Sequence, residues 1–359
     1  MFSYYTAIIF LNIFALLILQ PCISKSNTLT VAHKKLFRWL FLSIIVSAGC
    51  EWLGNFLQNS GGGTRVLHII VKTVELSVAP AIAFLFSWII KKKNEKLIWG
   101  YLAVHAALEC LSGIFGFIFY VDENSVYHHA EFYWIYVAAY LLSIVYCVCI
   151  VMRNLKKYQY NGAGFFLLII AFMIAGIAVQ MWNSELKVDY MAIGIASVLT
   201  YVFTLEMIQQ TDELTELLNR RGYENCISHI DEKCIIVFFD VDKFKQANDS
   251  YGHAFGDTVL KKIGISIRKN YAKYGKCFRY GGDEFCAVIT REPESLDALN
   301  SSFLEAVEKM KKAENRMPSV SIGYAYYDPE NQNIQDVFAE ADRMMYEFKA
   351  KHHSNDAQV

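Results

Sequence analysis

Seven apolar stretches of about twenty residues follow one another along residues 1–207. A helix needs about 20 apolar residues to cross the hydrocarbon core of a bilayer, so each stretch is long enough to span it. The chain is 54% hydrophobic and only 19% charged, which is too apolar for an ordinary soluble protein. The sequence therefore predicts an α-helical membrane bundle over residues 1–207, with spans at 3–22, 36–58, 66–90, 97–120, 131–152, 162–182 and 188–207.

The basic residues of this half indicate its orientation. Eleven of its 14 Lys and Arg residues lie in the loops after the first, third and fifth spans. Because cytoplasmic loops carry the excess of basic residues, this pattern places the N-terminus outside. The first stretch has neither a basic leader nor a small-residue cleavage site, so we interpret it as a retained span. Seven spans then deliver the C-terminal domain to the cytoplasmic side of the inner membrane.

Several ionisable residues fall inside the predicted spans. His68, Lys72 and Glu75 are spaced so that they share one face of a helix. Charged groups at this depth usually face the interior of a bundle or a cavity. They either form a polar network that holds the helices together or line a pocket that senses a proton or an unidentified ligand. The full set is Glu51, His68, Lys72, Glu75, His105 and Glu109.

The remaining residues have a different composition and predict an α+β domain over 208–359. Of the 35 Asp and Glu residues, 26 lie from Glu206 onward. The apolar run from Cys234 predicts a central buried strand, because both of its faces are hydrophobic. Two further runs flank Gly281 and Gly282 and predict a hairpin, and 319–327 predicts a fourth strand. A closing helix follows, with a predicted buried face of Ala339, Met344, Met345 and Phe348.

Three carboxylates lie where these predicted strands begin or end: Asp240, Asp283 and Glu284. Buried carboxylates are costly unless a positive group lies against them. Oxygen ligands at strand ends suit Mg²⁺, which binds through one or two carboxylates together with substrate phosphates. The turn at Phe244 and Lys245 offers amides and an ammonium group to phosphates. The alternative is a tight hairpin whose acids are simply solvated.

Five motifs follow one another in the region from Asp212 to about Lys351: DELTELLNRRG, FFDVDKFKQANDSYGHAFGD, RYGGDEF, VSIG and ADRMMYEFK. With these motifs the region closely resembles the GGDEF family of diguanylate cyclases. This resemblance implies a ferredoxin-like palm, as in nucleotidyl cyclases, and condensation of two GTP molecules to cyclic di-GMP with release of pyrophosphate. It also implies an active homodimer, because each domain binds one GTP.

The resemblance also implies roles for single residues. Asp240 and Asp283, with the backbone carbonyl of Val241, match the family's ligands for Mg²⁺ or Mn²⁺. Glu284 matches the acid that takes the proton of the 3′-hydroxyl group. The substrate-binding positions are Phe244, Lys245 and Lys349 for the phosphates and Asn248 and Asp257 for the guanine.

Three positions depart from the family pattern. The inhibitory RxxD motif is replaced by AKYG at 272–275, so we predict no product inhibition through that site. Glu216 replaces a glycine, which we interpret as a surface change. His352–Ser354 replaces a GRN segment and removes an arginine that contacts the γ-phosphate, for which His353 is a partial substitute.

We therefore predict a membrane-bound diguanylate cyclase under control of its membrane domain. The alternative is a catalytically weak GGDEF module that acts as a nucleotide-binding signalling receptor. A cyclase with another cyclic dinucleotide as product is disfavoured by Asp257 as a guanine reader. The predicted partners are GTP, a second copy of the chain, the lipid bilayer and the unknown sensed ligand, with no nucleic acid.

Overall fold

A computed structural model describes residues 2–91, 95–157, 163–182 and 186–356. The described residues group into two compact units, one ending at Glu206 and the other beginning at Met207. The predicted functional boundary, with a sensor over 1–207 and a catalytic domain over 208–359, stays a prediction.

The first unit is built from long helices. Six of them are long and apolar enough to cross a membrane, and the sixth in chain order, α6, has a shorter apolar stretch at Gly164–Gln180. The helices are α1 (Phe2–Lys25), α2 (Val31–Leu57), α3 (Arg65–Lys91), α4 (Lys96–Phe115), α5 (Tyr133–Lys157), α6 (Ala163–Trp182) and α7 (Asp189–Gln209). Each of the seven predicted stretches therefore contains a helix, and six of these helices satisfy the length and hydropathy expected of a span.

The predicted fourth span, 97–120, is too long at its C-terminal end. Helix α4 stops at Phe115 because Gly116 adopts a left-handed conformation with φ of 73°. The chain then forms a small antiparallel hairpin of β1 (Phe119–Val121) and β2 (Tyr127–His129) before α5 begins.

Several polar side chains in this unit contact each other. Lys72 Nζ lies 2.8 Å from Glu75 Oε2 on α3. The Tyr5 hydroxyl on α1 donates to Glu51 Oε2 on α2 at 2.7 Å, and Gln180 on α6 donates to Glu51 Oε1 at 3.3 Å. The contacts of Glu51 join the three helices α1, α2 and α6, whereas the Lys72–Glu75 pair lies within α3.

The second unit contains a four-stranded antiparallel sheet with strand order β4-β5-β3-β6. Its strands are β3 (Cys234–Val241), β4 (Gly275–Arg279), β5 (Glu284–Ile289) and β6 (Val320–Tyr327). Its helices are α8 (Arg220–Ile227), α9 (Phe244–Tyr251), α10 (His253–Tyr271), α11 (Leu296–Ala313) and α12 (Ile334–Asp356). Leaving α8, the short helix α9 and α12 aside, the elements follow the β-α-β-β-α-β order of the ferredoxin-like arrangement. The predicted central strand, hairpin and fourth strand are all present.

Both faces of the sheet are covered by helices, which explains why β3 is apolar along its length. Val237 and Phe239 pack with residues of α10 and α11, including the fully buried Phe303. Ile236 and Phe238 point to the other face, where they pack with α8 and α12. Successive side chains of a strand alternate between faces, so each hydrophobic residue of β3 has a core to enter.

The buried face of α12 agrees with the prediction at Met345, is half-buried at Phe348 and differs at two other positions. Val337, Ala341 and Met345 are buried against the sheet, whereas Ala339 and Met344 are exposed. The buried residues are four positions apart and therefore lie along one side of the helix. This side holds α12 along β6 and brings the later residue Lys349 to the end of β3.

Candidate active site

The antiparallel pairing of β3 and β5 brings the three predicted carboxylates to one edge of the sheet. Asp240 near the end of β3 lies directly opposite Glu284, the first residue of β5. The amide of Val241 donates to the carbonyl oxygen of Asp283 at 3.2 Å. The end of one strand and the start of its neighbour therefore carry Asp240, Asp283 and Glu284 on adjacent backbone positions.

The three carboxylates perturb one another. Burial raises the pKa of Asp283, and the negative charge of Asp240 raises it further. Burial also raises the pKa of Glu284, with added contributions from the charges of Asp283, Asp240 and Asp342. An arrangement of this kind favours a cation, because a nearby positive charge stabilises the ionised carboxylates.

Lys349 supplies one positive charge at this edge. Its ammonium contacts the carboxylate of Asp240, and the two side chains are 31% and 13% exposed, respectively. Burial alone would lower the pKa of Lys349, but the hydrogen bond and charge of Asp240, with the charges of Asp242 and Asp283, raise it above its ordinary value. Lys349 is therefore held in its charged form beside Asp240.

The oxygen groups at this edge suit a hard divalent cation. Among the described residues, no three His, Cys, Asp or Glu side chains are grouped closely enough to hold a metal by themselves. Mg²⁺ does not need such a group, because it usually keeps waters and binds through one or two carboxylates plus substrate phosphates. Asp240 and Asp283, which repel each other, together with the carbonyl of Val241 fit this requirement.

Two residues separate the end of β3 from the start of helix α9, which carries two of the three predicted phosphate-binding residues. Lys243 precedes it in a left-handed conformation with φ of 52°, which turns the chain sharply from strand to helix. Phe244 and Lys245 form the first turn, where amide groups have no partner within the helix. Lys245 is exposed. The first turn of α9 thus offers an ammonium group and amides close in sequence to Asp240.

Asn248 and Asp257 lie where α9 meets the start of α10. The side-chain oxygen Oδ1 of Asn248 is buried and has no hydrogen-bond partner among the described residues. A Cβ atom on Gly256 would overlap this oxygen, so the glycine is needed for the close approach of α10. Asp257 follows as the fifth residue of α10 and is exposed. An unsatisfied buried oxygen beside a free carboxylate is a suitable place for a polar ligand.

Comparison with known proteins identifies the family of this unit. Residues 209–355 match the family model described as "Diguanylate cyclase, GGDEF domain". Residues 209–355 form a GGDEF domain. GGDEF diguanylate cyclases generally use a divalent metal. The oxygen groups at this edge of the sheet are ligands of the kind that such a metal prefers.

Curated relatives of the chain include two diguanylate cyclases of Escherichia coli strain K12. DosC is 31% identical over 182 residues, which cover 44% of this chain and 39% of DosC. DgcP is 30% identical over 191 residues, which cover 49% of this chain and 53% of DgcP. The uncharacterized protein YtrP of Bacillus subtilis is 30% identical over 40% of this chain and 25% of its own length. The chain thus spans between a quarter and about half of these relatives.

A solved structure of similar sequence is the GGDEF domain of DgcB from Caulobacter crescentus in complex with c-di-GMP. It is 26% identical, with a TM-score of 0.35, and the match covers 40% of this chain and 91% of that domain.

The turn of the GGDEF hairpin depends on a close approach between Gly281 and Glu284. The amides of Tyr280 and Gly281 both donate to the carbonyl of Glu284, at 2.9 Å and 3.2 Å. A side chain on Gly281 would overlap the carboxylate of Glu284. This glycine therefore leaves room for Glu284 over the turn, while Asp283 and Glu284 stay fixed by their backbone bonds.

Arg279 of the GGDEF domain is a residue that sequence reasoning missed. Its guanidinium donates through Nη2 to the carbonyl of Gly282 at 2.7 Å and pairs with Asp212 Oδ2 at 3.1 Å. Asp212 also accepts from the amide and hydroxyl of Thr215 at 2.8 and 2.7 Å. Arg279 thus joins the segment after α7 to the backbone next to Asp283. An arginine immediately before a tyrosine and two glycines was the available signal.

Replacing Arg279 by alanine should loosen this hairpin. The change removes two charge-assisted contacts of a side chain that is 16% exposed, which corresponds to about 1–3 kcal/mol of domain stability. Lysine at position 279 should not restore the lost stability, because one ammonium cannot bridge two acceptors with the geometry of a guanidinium. Hydrogen exchange followed by mass spectrometry should show faster exchange in a peptide covering 279–289. Alanine at the exposed Arg291 is the control, and equal exchange in both variants would contradict the assignment.

Proposed function

We propose that this chain is a membrane-bound diguanylate cyclase that condenses two GTP molecules into cyclic di-GMP and two pyrophosphates. The observation that carries the proposal is the placement of Asp240, Asp283 and Glu284 at one edge of the sheet of a GGDEF domain. Carboxylates in that arrangement can hold a divalent cation and accept a proton at the same place, which is what nucleotidyl transfer requires. The diguanylate cyclases among its relatives support the same reaction.

The proposed roles follow from the position of each group. Asp240, Asp283 and the carbonyl of Val241 would hold Mg²⁺ or Mn²⁺, which when bound neutralises phosphate charge. Glu284 accepts the proton of the 3′-hydroxyl group of one GTP. The 3′-oxygen then bonds to the α-phosphorus of the other GTP, and the bond from that phosphorus to pyrophosphate breaks. The raised pKa of Glu284 suits a proton acceptor better than that of an ordinary carboxylate.

The remaining site residues would bind the substrate. Lys245, Lys349 and the amides at Phe244 bind the phosphates of GTP. Asp257 accepts hydrogen bonds from N1 and N2 of guanine, and Asn248 contacts the same base edge. Adenine lacks this pair of donors, so Asp257 gives selectivity for GTP.

The proposed active form is a homodimer in the membrane. Each GGDEF domain binds one GTP, so two domains must face each other to form both phosphodiester bonds. The helices of residues 1–207 anchor the chain in the inner membrane and regulate the domain on its cytoplasmic side in response to a signal still to be identified. The six helices of spanning length support this anchoring.

The test is turnover by the full chain in detergent or nanodiscs. With GTP and Mg²⁺, cyclic di-GMP should form at a rate per chain that rises with protein concentration until the dimer is saturated. ATP in place of GTP should give no cyclic product. Tight GTP binding without any product would instead favour the nucleotide-binding receptor.

A further inference from the structure

The contact between Lys349 and Asp240 places a positive charge on one of the two carboxylates that would hold the metal. The ammonium lies against Oδ2 of Asp240. Asp240 is mostly buried, with 13% of its side chain exposed, so this oxygen has little room for a second cation. Lys349 lies 109 positions after Asp240 in the chain. It is carried by α12, which is packed on the sheet through Val337, Ala341 and Met345.

We propose that Lys349 gates the metal site: in the nucleotide-free domain its ammonium occupies Asp240 in place of a divalent cation, and it leaves when phosphates offer it a better partner. This inference rests on the proposed function, because it uses Asp240 as a metal ligand and Lys349 as a phosphate-binding residue. Its consequence is that free metal binds weakly and enters together with nucleotide.

Electrostatics support this exchange. Without nucleotide, the negative charges of Asp240 and Asp283 favour a nearby cation. Lys349 supplies this positive charge from the chain itself, so no hydrated metal ion has to lose its water. A triphosphate carries several negative charges and is a stronger partner for an ammonium than one carboxylate. Transfer of Lys349 to phosphate would leave Asp240 free at the moment when phosphate oxygens become available to complete the coordination of Mg²⁺.

The test is the affinity of the full chain for Mn²⁺ in the absence of nucleotide. Electron paramagnetic resonance measures the concentration of the free ion as the chain is titrated. Lys349→Gln should bind Mn²⁺ about fivefold more tightly than the wild type or better, as expected for removal of a partly buried competing charge. Lys349→Arg keeps a cation beside Asp240 and should bind close to the wild-type affinity. Thermal unfolding of each variant checks that the domain stays folded.

A matched control separates gating from the general effect of removing a positive charge. Lys245 is exposed in the first turn of α9, and Lys245→Gln removes one charge near the same site. This variant should change Mn²⁺ affinity less than twofold, because exposed charges are screened by salt. Equal affinities for wild type and Lys349→Gln would overturn the proposal, as would an equal gain from Lys245→Gln.

These outcomes are separate from those that test the proposed function. Mn²⁺ binding is measured without GTP and does not depend on turnover. An inactive chain in which Lys349→Gln still tightens Mn²⁺ binding would overturn the cyclase assignment and leave the gate standing. An active chain in which the variant changes nothing would overturn the gate alone.

Discussion

Replacing Asp283 by asparagine is expected to lower the rate of cyclic di-GMP formation by at least about a thousandfold. Asparagine has nearly the same shape but no negative charge, so the proposed metal site would lose one of its two carboxylates. The backbone bond from Val241 to the carbonyl of residue 283 is unaffected by the change, so the hairpin should keep its form. The rate is measured by separating nucleotides after incubation of the full chain with GTP and Mg²⁺. Glu292→Gln, an exposed acid beyond the other end of β5, is the control and should keep wild-type activity.

The same substitution should slightly stabilise the domain when metal is absent. Burial and the charge of Asp240 raise the pKa of Asp283 in the folded state. A carboxyl group with a raised folded-state pKa destabilises the fold as pH rises from its unfolded pKa through its folded pKa. At neutral pH, therefore, a residue that cannot ionise removes this penalty. In EDTA, the Asp283→Asn variant should unfold at a higher temperature than the wild type; a lower temperature would show that the carboxylate stabilises the metal-free domain.

Replacing Asp257 by alanine is expected to lower kcat/KM for GTP by about a hundredfold or more, since the two proposed hydrogen bonds from guanine to this carboxylate would be lost. The preference for GTP over ATP should fall as well, because the alanine side chain has no acceptor that distinguishes guanine from adenine. The measurement is the ratio of kcat/KM for GTP to kcat/KM for ATP. Where ATP is not turned over, its inhibition constant is compared between the variant and the wild type.

A matched control is available on the neighbouring helix. Asp249 is an exposed acid of α9, one position after Asn248, and Asp249→Ala removes the same charge close by. Its selectivity for GTP should stay at the wild-type value. If the two alanine variants behave alike, Asp257 acts through its charge and does not read the base.

The strands of the GGDEF domain were predictable because each is a local pattern. The run from Cys234 is apolar on both sides, and both sides are buried in the fold. The hairpin at Gly281 and Gly282 was equally readable, since two apolar runs flank a short polar turn. Placing Asp240 opposite Glu284 required only that these strands be neighbours, which the family resemblance supplied.

Contacts between distant segments were not predictable. The pairing of Lys349 with Asp240 depends on which side of α12 packs on the sheet, and sequence periodicity chose Ala339 and Met344 wrongly. The role of Arg279 depends on Asp212, which lies 67 positions earlier in the chain. Such pairs arise from the packing of whole elements and leave no periodic signal.

Two departures from the family pattern have different outcomes. The sequence predicts a surface change at Glu216, and the side chain is 39% exposed and 3.3 Å from Arg268. Its φ of 59° is left-handed, however, which explains why glycine is usual in that motif and why the substitution is more than a change of surface. The departure at His352–Ser354 concerns side chains outside the described residues, so the role of His353 stays a prediction.

The measurement that tests the central claim most directly is a product analysis of wild type and Asp283→Asn with GTP labelled at the α-phosphate. The full chain with Mg²⁺ should convert the label to cyclic di-GMP and release two pyrophosphates for each product molecule, and the variant should form none above background. A wild-type chain that forms no cyclic di-GMP, or an Asp283→Asn chain that forms it at the wild-type rate, would contradict the account.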